Sequence, residues 1–334
     1  LAGLTHYRTS INWSRFLIDY ENVTVDEEYA AYYDQLFDAL LANGITPMIC
    51  LEHYELPGYL LEKYGGWGSK KVVELFVRYA EQVFARYHLK VTRWFTFNEP
   101  IVVQTRVYLD ALRWPYEQNT STWMQWNYHK VLATACVVKR FRELGYPGTV
   151  GCILNPEVTY PRSRAPHDLR AAEIYDLFYN RMFLDPLVHG VWPPALLALL
   201  EQHQVTWEAS AEELAIIREH TVDELGINLY YPHRVKAPSR AWHPHTPFHP
   251  AWYYEPFELP GRRMNASRGW EIYPQIIFDM AMRIKNDYRN IPWFVAESGM
   301  GVENEGQFRN REGVIDDSYR IRFISEHLWH TLRH

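Results

Sequence analysis

Short apolar runs alternate with segments of helical periodicity along almost the whole chain, and this alternation limits the possible folds more than any other feature of the sequence. The runs lack regular polar alternation, as expected for strands buried on both faces of a parallel sheet. Six strands are predicted, over residues 7–13, 45–51, 91–97, 149–154, 225–229 and 291–296. Helices are predicted after them, over residues 25–42, 72–84, 126–144, 169–183, 273–288 and 318–332. Repeated strand–helix units predict a parallel sheet wrapped by helices, either an open doubly wound sheet or a closed barrel.

The first of these helices has clear start and stop signals. Thr24 is followed three residues later by Glu27, which predicts a capping box with Thr24 as the N-cap. Asn43 and Gly44 then predict the end of the helix, because both residue types tolerate the left-handed backbone that closes helices.

Two observations favour the barrel. No G-x-G-x-x-G follows the first strand and no G-x-x-x-x-G-K-[ST] occurs, which weakens the nucleotide-binding version of an α/β fold. Residues 234–268 are rich in Pro, His and Trp and lack periodicity, which fits a long βα loop near the active face of a barrel. The sequence therefore predicts an α/β fold of the TIM (β/α)8 barrel type, incomplete, with about six βα units.

Size and charge narrow the class of protein. With 334 residues, 47% hydrophobic and 22% charged, we expect one globular domain over residues 1–334. The net charge of −6 offers no electrostatic footprint for nucleic acid, and no apolar run approaches the ~18 residues of a membrane span. Three cysteines are too few for a disulfide scaffold and favour a cytoplasmic setting. Because the chain starts at Leu1 and stops at His334 inside a predicted helix, we expect it to be truncated at both ends.

Candidate chemical residues follow directly on the predicted strands. His53, Asn98, Glu99, Tyr230 and Glu297 all stand at carboxyl ends of strands, the edge on which a βα barrel builds its active site. Glu99 and Glu297 come from strands three apart, so we expect them to face each other. Two carboxylates in that position suit hydrolysis of a glycosidic bond. A single glutamate at a strand end is also typical of a solvated loop, so position alone leaves both interpretations open.

Six segments spread along the chain carry a family resemblance. They are YRTSINWSR (7–15), KYGGW (63–67), TFNEP (96–100), GINLY (226–230), GWEIYP (269–274) and AESG (296–299). In this order they resemble the motifs of glycoside hydrolase family 1, which contains β-glucosidases, β-galactosidases and their 6-phospho counterparts. The resemblance implies a retaining β-glycosidase that hydrolyses β-linked glucosides or related small glycosides through a covalent glycosyl-enzyme intermediate, without a cofactor or a metal.

The resemblance also implies a role for each matching residue. Glu99 matches the general acid/base and Glu297 the nucleophile of the family. Asn98 would hold the sugar 2-hydroxyl and His53 would bind the glycone. The remaining matches are Arg8 and Tyr230, which would hydrogen-bond the nucleophile and keep it ionised, and Tyr54, which stands beside His53 where the family usually has Trp.

The chain departs from the family pattern at its ends. The first barrel strand, with its glycone-binding Gln, and the last strand, with its Trp-containing loop, have no counterpart here. We therefore expect open barrel edges that favour a homo-oligomer, and weak activity. The absent end also carries the residues that distinguish a free sugar from a 6-phosphosugar. Two alternatives follow: a 6-phospho-β-glucosidase or 6-phospho-β-galactosidase, and a catalytically impaired carbohydrate-binding fragment.

Histidine and tryptophan residues suggest further interpretations. His243, His245 and His249 raise the alternative of a metal-dependent hydrolase, although their loop position favours solvated side chains. Aromatic residues reach 16%, which fits either a large core or a sugar site where rings stack on pyranose faces. Trp242 and Trp252 are predicted to line the leaving-group site. We assign Trp13, Trp67 and Trp94 to packing and Trp270 to a helix start.

Overall fold

The computed structural model describes residues 3–240 and 246–331, and its centre is a curled parallel sheet of six strands. The strands are β1 (His6–Ser10), β2 (Thr46–Glu52), β3 (Arg93–Asn98), β4 (Thr149–Leu154), β5 (Leu225–Asn228) and β6 (Trp293–Glu297). They lie in the sheet in the order in which they occur along the chain, and every neighbouring pair is parallel. The six predicted strands and the α/β barrel-type fold are therefore confirmed.

Helices cover the outer face of the sheet, and shorter elements occupy the loops. The longer helices are α1 (Glu27–Ala42), α2 (Gly58–Tyr64), α3 (Lys70–Tyr87), α4 (Thr120–Leu144), α5 (Pro166–Asp176), α6 (Met182–His189), α7 (Pro194–Gln202), α8 (Ala211–Glu219), α9 (Gln275–Asp287) and α10 (Ser318–Thr331). Short strands outside the main sheet form small groups: Thr159–Pro161 with His233–Lys236 and Glu255–Pro256, Leu17–Asp19 with Thr24–Val25, and Met264–Asn265 with Trp270–Glu271. Among the residues described, no helix is both long and apolar enough to cross a membrane.

The start of α1 differs from the prediction. Thr24 lies in a short strand and pairs with Asp19, so it is not available as a cap. Asp26 is the N-cap instead, and its side chain accepts a hydrogen bond of 3.0 Å from the backbone N–H of Tyr29. The predicted end is confirmed, because α1 stops at Ala42 and Gly44 takes a left-handed backbone with φ +70°.

A layer of buried aromatic rings packs between the sheet and α3. Trp13 stacks on Tyr79 with ring centroids 5.4 Å apart, and Phe76 stacks on Phe97 of β3 at 4.9 Å. Each fully buried ring contributes roughly 2–3 kcal/mol through the area that it removes from water. Trp67 and Trp94 belong to the same core, so the assignment of these tryptophans to packing is confirmed. The rings support the strands whose carboxyl ends carry the site.

The two end strands of the sheet, β1 and β6, are less covered than the strands between them. Residues of β4 and β5 are almost all buried, whereas those of β1 are exposed or half-buried and those of β6 are all half-buried. The inner face nevertheless carries a small apolar cluster that links β2, β3, β4 and β6. Its members are Met48, Cys50, Phe95, Ile153, Phe294 and Ala296.

Candidate active site

The predicted site residues converge at the carboxyl edge of the curled sheet. Glu99 follows β3 and Glu297 ends β6, with β4 and β5 between them in the sheet. Arg8 projects from β1, and His53 and Tyr230 follow β2 and β5. The curl therefore brings side chains from both ends of the sheet together, as expected for a barrel whose loops at this edge form the active site.

Glu297 is held by one cation and one neutral donor. Arg8 donates from Nη2 to Glu297 Oε1, and the Tyr230 hydroxyl donates to Oε2 at 2.5 Å. Burial, and next the bond to Glu297, raise the pKa of Tyr230 well above its usual range, so the hydroxyl keeps its proton and stays a donor. Both oxygens of this carboxylate are thus bound by groups that stabilise its charge.

Glu99 has a different environment. Asn228 donates from Nδ2 to Glu99 Oε1 at 2.8 Å, and the Tyr54 hydroxyl donates to Oε2. Burial is the main cause that raises the pKa of Tyr54, and the Glu99 charge adds to it. Within the described part of the chain, no cationic group forms an ion pair with Glu99, so the two carboxylates differ in their charged partners.

The backbone at Glu99 is constrained. Its φ is +47°, in the left-handed region that non-glycine residues seldom adopt. Its N–H donates to the carbonyl of Ile153 in β4 at 2.8 Å. The next carbonyl, that of Pro100, accepts from Gln104 Nε2 at 2.5 Å and from Lys130 Nζ at 3.1 Å. Hydrogen bonds therefore hold this unusual conformation on both sides of the residue.

Asn98 links the two carboxylates to His53. Its Oδ1 accepts from Arg8 Nη1 at 3.1 Å and from Asn228 Nδ2 at 3.3 Å, while its Nδ2 lies 3.3 Å from His53 Nε2. Burial is the main cause that lowers the pKa of His53, so the ring is neutral at pH 7. Asn98 Nδ2 therefore donates to an unprotonated Nε2, and the ring proton resides on Nδ1.

Asn228 contacts both Glu99 and Asn98 and was missed by the sequence reasoning. The signal for it was present, because Asn228 ends a buried strand inside the segment GINLY. An amide that is 2% exposed at such a position needs hydrogen-bond partners.

A cleft of about 460 Å³ opens from Glu99 toward the loops that follow β4 and β5. Trp270 lines it, and its ring stacks on Tyr231 with centroids 4.9 Å apart, while the Arg268 guanidinium lies 4.5 Å from the same ring. Trp270 belongs to a short strand, so its assignment to a helix start was wrong. Trp252 does not line this cleft, because its ring packs against Phe248 at 5.4 Å.

Of the three histidines in the long loop, His249 is the one that lies within the described residues. Trp242, His243 and His245 lie outside the described residues. His249 accepts a hydrogen bond from the backbone N–H of Ala251, and its Nε2 lies 3.9 Å from Asp110. In the described ranges, no group of three or more His, Cys, Asp or Glu side chains is placed to hold a metal ion.

A curled α/β sheet that holds two glutamates from strands three apart, each with different direct partners, is the arrangement expected of a glycoside hydrolase. The family described as glycosyl hydrolase family 1 matches residues 2–334, and the chain belongs to this family. It is 41% identical to the 6-phospho-beta-glucosidase GmuD of Bacillus subtilis (strain 168), over 98% of this chain and 70% of that protein. It is 29% identical to Beta-glucosidase A of Acetivibrio thermocellus, with the same coverage of both chains.

Solved structures agree with this assignment. The Family 1 b-glucosidase from Thermotoga maritima superposes with a TM-score of 0.86 at 26% identity, covering 98% of this chain and 70% of that one. This protein is therefore a glycosidase with the barrel fold of its family, as the sequence motifs predicted.

Proposed function

We propose that the protein is a retaining β-glycosidase that hydrolyses 6-phospho-β-glucosides, with Glu297 as nucleophile and Glu99 as general acid/base. The assignment of these two roles rests on the different hydrogen-bond partners of the two carboxylates. Glu297 contacts the Arg8 cation and is stabilised as an anion, whereas Glu99 contacts only neutral donors among the residues described. Glycosidases need one permanently charged carboxylate and one that can carry a proton, and different surroundings separate the two roles.

In the first step Glu297 attacks the anomeric carbon while Glu99 donates its proton to the leaving oxygen. The glycosidic C–O bond breaks as the ester bond to Glu297 forms, and the leaving group departs as a neutral alcohol. Tyr230 and Arg8 orient the attacking carboxylate through the bonds described above. Asn98, which Arg8 and His53 fix in place, is the residue that we propose to hold a sugar hydroxyl next to the reacting carbon.

In the second step Glu99, now ionised, takes a proton from a water molecule that attacks the same carbon. The ester bond breaks, the sugar leaves with its original configuration, and Glu297 returns to its contact with Arg8. The left-handed backbone at Glu99, held by Ile153 and by the donors to Pro100, keeps the carboxyl in place for both proton transfers.

The proposed preference for a phosphorylated sugar is supported by the sequence identities to two relatives. The relative named 6-phospho-beta-glucosidase is 41% identical, whereas the relative named Beta-glucosidase A is 29% identical over the same share of the chain. A β-glucosidase acting on the unphosphorylated sugar is the second candidate, and the likeness to the Thermotoga maritima β-glucosidase favours it.

The test compares hydrolysis of an aryl 6-phospho-β-glucoside with that of the unphosphorylated aryl β-glucoside. We expect a higher kcat/KM for the phosphorylated substrate, and a loss of both activities in Glu297→Ala. Glu303→Ala, which removes an exposed glutamate in the loop after β6, is the matched control and should behave like the wild type. Preference for the unphosphorylated sugar would favour the second candidate. Binding without turnover would favour a carbohydrate-binding protein.

A second measurement tests the covalent intermediate. A 2-deoxy-2-fluoro glycoside with a good leaving group should inactivate the enzyme and add the mass of one sugar to the peptide that contains Glu297. For Glu99→Gln, we expect kcat/KM on a poorly activated leaving group to fall about 10²–10⁴-fold, because general acid catalysis contributes that much. Labelling of a different carboxylate, or an inverted product, would contradict the mechanism.

A further inference from the structure

A second carboxylate stands in the cleft beside Glu99, away from the reacting pair. Glu157 follows β4 and lines the cleft with its side chain 24% exposed. Its backbone N–H donates to Asn180 Oδ1 at 2.6 Å, and its carbonyl accepts from Asn180 Nδ2 at 3.0 Å. The residue is therefore fixed at its backbone while its carboxylate reaches the cleft.

The buried Tyr175 and the half-buried His233 hold one oxygen of this carboxylate. The Tyr175 hydroxyl donates to Glu157 Oε2, and His233 Nδ1 lies 2.9 Å from the same hydroxyl oxygen. Burial raises the pKa of Tyr175 and lowers that of His233, so the phenol keeps its proton and the imidazole is neutral at pH 7. His233 Nδ1 also lies 3.1 Å from Glu157 Oε2, so the phenol and the imidazole both face this oxygen. Among the described residues, Glu157 Oε1 accepts no hydrogen bond.

The chain after β5 connects this network to the reacting centre. Tyr230 binds the nucleophile, Tyr231 lines the cleft, and His233 contacts the Tyr175 hydroxyl. Three residues of extended backbone span at most about 10 Å. Glu99 lines the cleft, so in the proposed mechanism the cleft receives the group that Glu99 protonates, and Glu157 lines the same cleft.

We infer that Glu157 Oε1 accepts a hydrogen bond from a hydroxylated leaving group, so that the natural substrate is a β-linked disaccharide or short oligosaccharide and not an aryl or alkyl glycoside. This inference rests on the proposed function. A pre-oriented anionic acceptor favours a ligand with hydroxyl donors, because a ligand without them leaves the carboxylate desolvated and unpaired. The stacked rings of Trp270 and Tyr231 supply a flat apolar wall in the same cleft, which together with a polar acceptor suits a sugar ring.

The experiment compares two substrates that share the same glycone. One is an aryl 6-phospho-β-glucoside, and the other is a β-linked disaccharide whose non-reducing glucose carries the 6-phosphate. In Glu157→Leu, kcat/KM for the disaccharide should fall about 10- to 150-fold, the worth of a hydrogen bond to a charged group, while the aryl glycoside changes little. Glu157→Gln retains an acceptor and should recover part of the loss, which a merely structural role would not require.

Glu173→Leu is the matched control, because this exposed glutamate lies on α5 near Tyr175 and pairs with Arg170 outside the cleft. Should Glu157→Leu fail to fold, the selectivity ratios of Glu157→Gln and Tyr175→Phe decide the question. Equal losses on both substrates, or no loss on the disaccharide, would overturn the inference. Wild-type enzyme that cleaves the aryl glycoside but not the disaccharide would also overturn it while leaving the proposed function intact. Hydrolysis of neither substrate would instead refute the proposed function.

Discussion

Lys130 of α4 and Glu52 of β2 form a buried ion pair behind the site, with side chains only 1% and 2% exposed. Lys130 Nζ lies 3.9 Å from Glu52 Oε2, an oxygen that accepts no hydrogen bond from the described residues. The same Lys130 Nζ donates to the carbonyl of Pro100. Burial is the main cause that lowers the pKa of Lys130 and raises that of Glu52, while each charge opposes the shift of the other. Glu52 therefore depends on Lys130 for its charged form.

At 3.9 Å and an effective dielectric of 20, two unit charges attract by about 4 kcal/mol. Lys130→Met leaves the Glu52 carboxylate buried and unpaired, and breaking such a pair costs about 3–5 kcal/mol. We expect a loss of that size in the free energy of unfolding at pH 7, measured by urea denaturation. Because Glu52 takes up a proton when its partner is absent, the loss should be smaller at pH 5.

The double variant Glu52→Leu/Lys130→Met should be close to the wild type in stability, because replacing both charges by apolar groups removes the desolvation cost. Lys139→Met, on the same helix with an exposed side chain, is the matched control and should change stability by less than about 0.5 kcal/mol. Additive single effects, or a loss below about 1 kcal/mol for Lys130→Met, would refute the reasoning.

Three further predictions concern stability and association. Burial and the Glu52 charge raise the pKa of Glu55 to about 7. The Glu55 carboxyl therefore binds a proton more tightly in the native state than in the unfolded chain. Because this preference is lost as the carboxyl ionises, the free energy of unfolding falls as pH rises from about 4.5 to 7. Glu55→Gln should therefore raise the melting temperature relative to wild type more at pH 8 than at pH 5, and an equal change at both would contradict this. Gly151→Ala would place a Cβ 2.5 Å from the carbonyl oxygen of Glu224. We expect the free energy of unfolding, measured by chemical denaturation, to fall by about 1–3 kcal/mol. An unchanged denaturation midpoint would show that the backbone shifts to make room for the Cβ. Helix α10 exposes Ile321 and Leu328 at 63% and 57%, so light scattering should show self-association that weakens in Ile321→Glu/Leu328→Glu; a monomer in both proteins would be the opposite result.

The strands and most side chains of the candidate site could be predicted because their signals are local. Buried parallel strands are short apolar runs, and Asn98, Glu99 and Glu297 stand where those runs end. Chain order then placed the two glutamates three strands apart, as the sheet has them. These features depend on neighbours in sequence and on the rule that parallel strands present their carboxyl ends at one edge.

What could not be predicted depends on contacts between distant segments. The helix predicted over residues 169–183 is interrupted by a wider turn, Leu177–Arg181, in which Asn180 binds both the backbone of Glu157 and the carboxylate of Asp176. Apolar periodicity carries no information about such bonds. Glu157 itself follows a strand like Glu99 does, and only its position in the cleft, beside Tyr175, distinguishes it from a solvated loop residue.

The ion pair between Arg8 and Glu297 joins the two end strands of the sheet, which lie five places apart in its hydrogen-bond order. In the proposed glycosyl-enzyme intermediate Glu297 becomes a neutral ester, so the attraction that draws β1 toward β6 weakens once in every turnover and returns on hydrolysis. The curvature of the sheet and the nucleophile are thus linked through one ion pair, and a change that opens the sheet would draw Arg8 away from Glu297. In the proposed cycle, the two end strands are therefore held together by this ion pair only while the nucleophile is free.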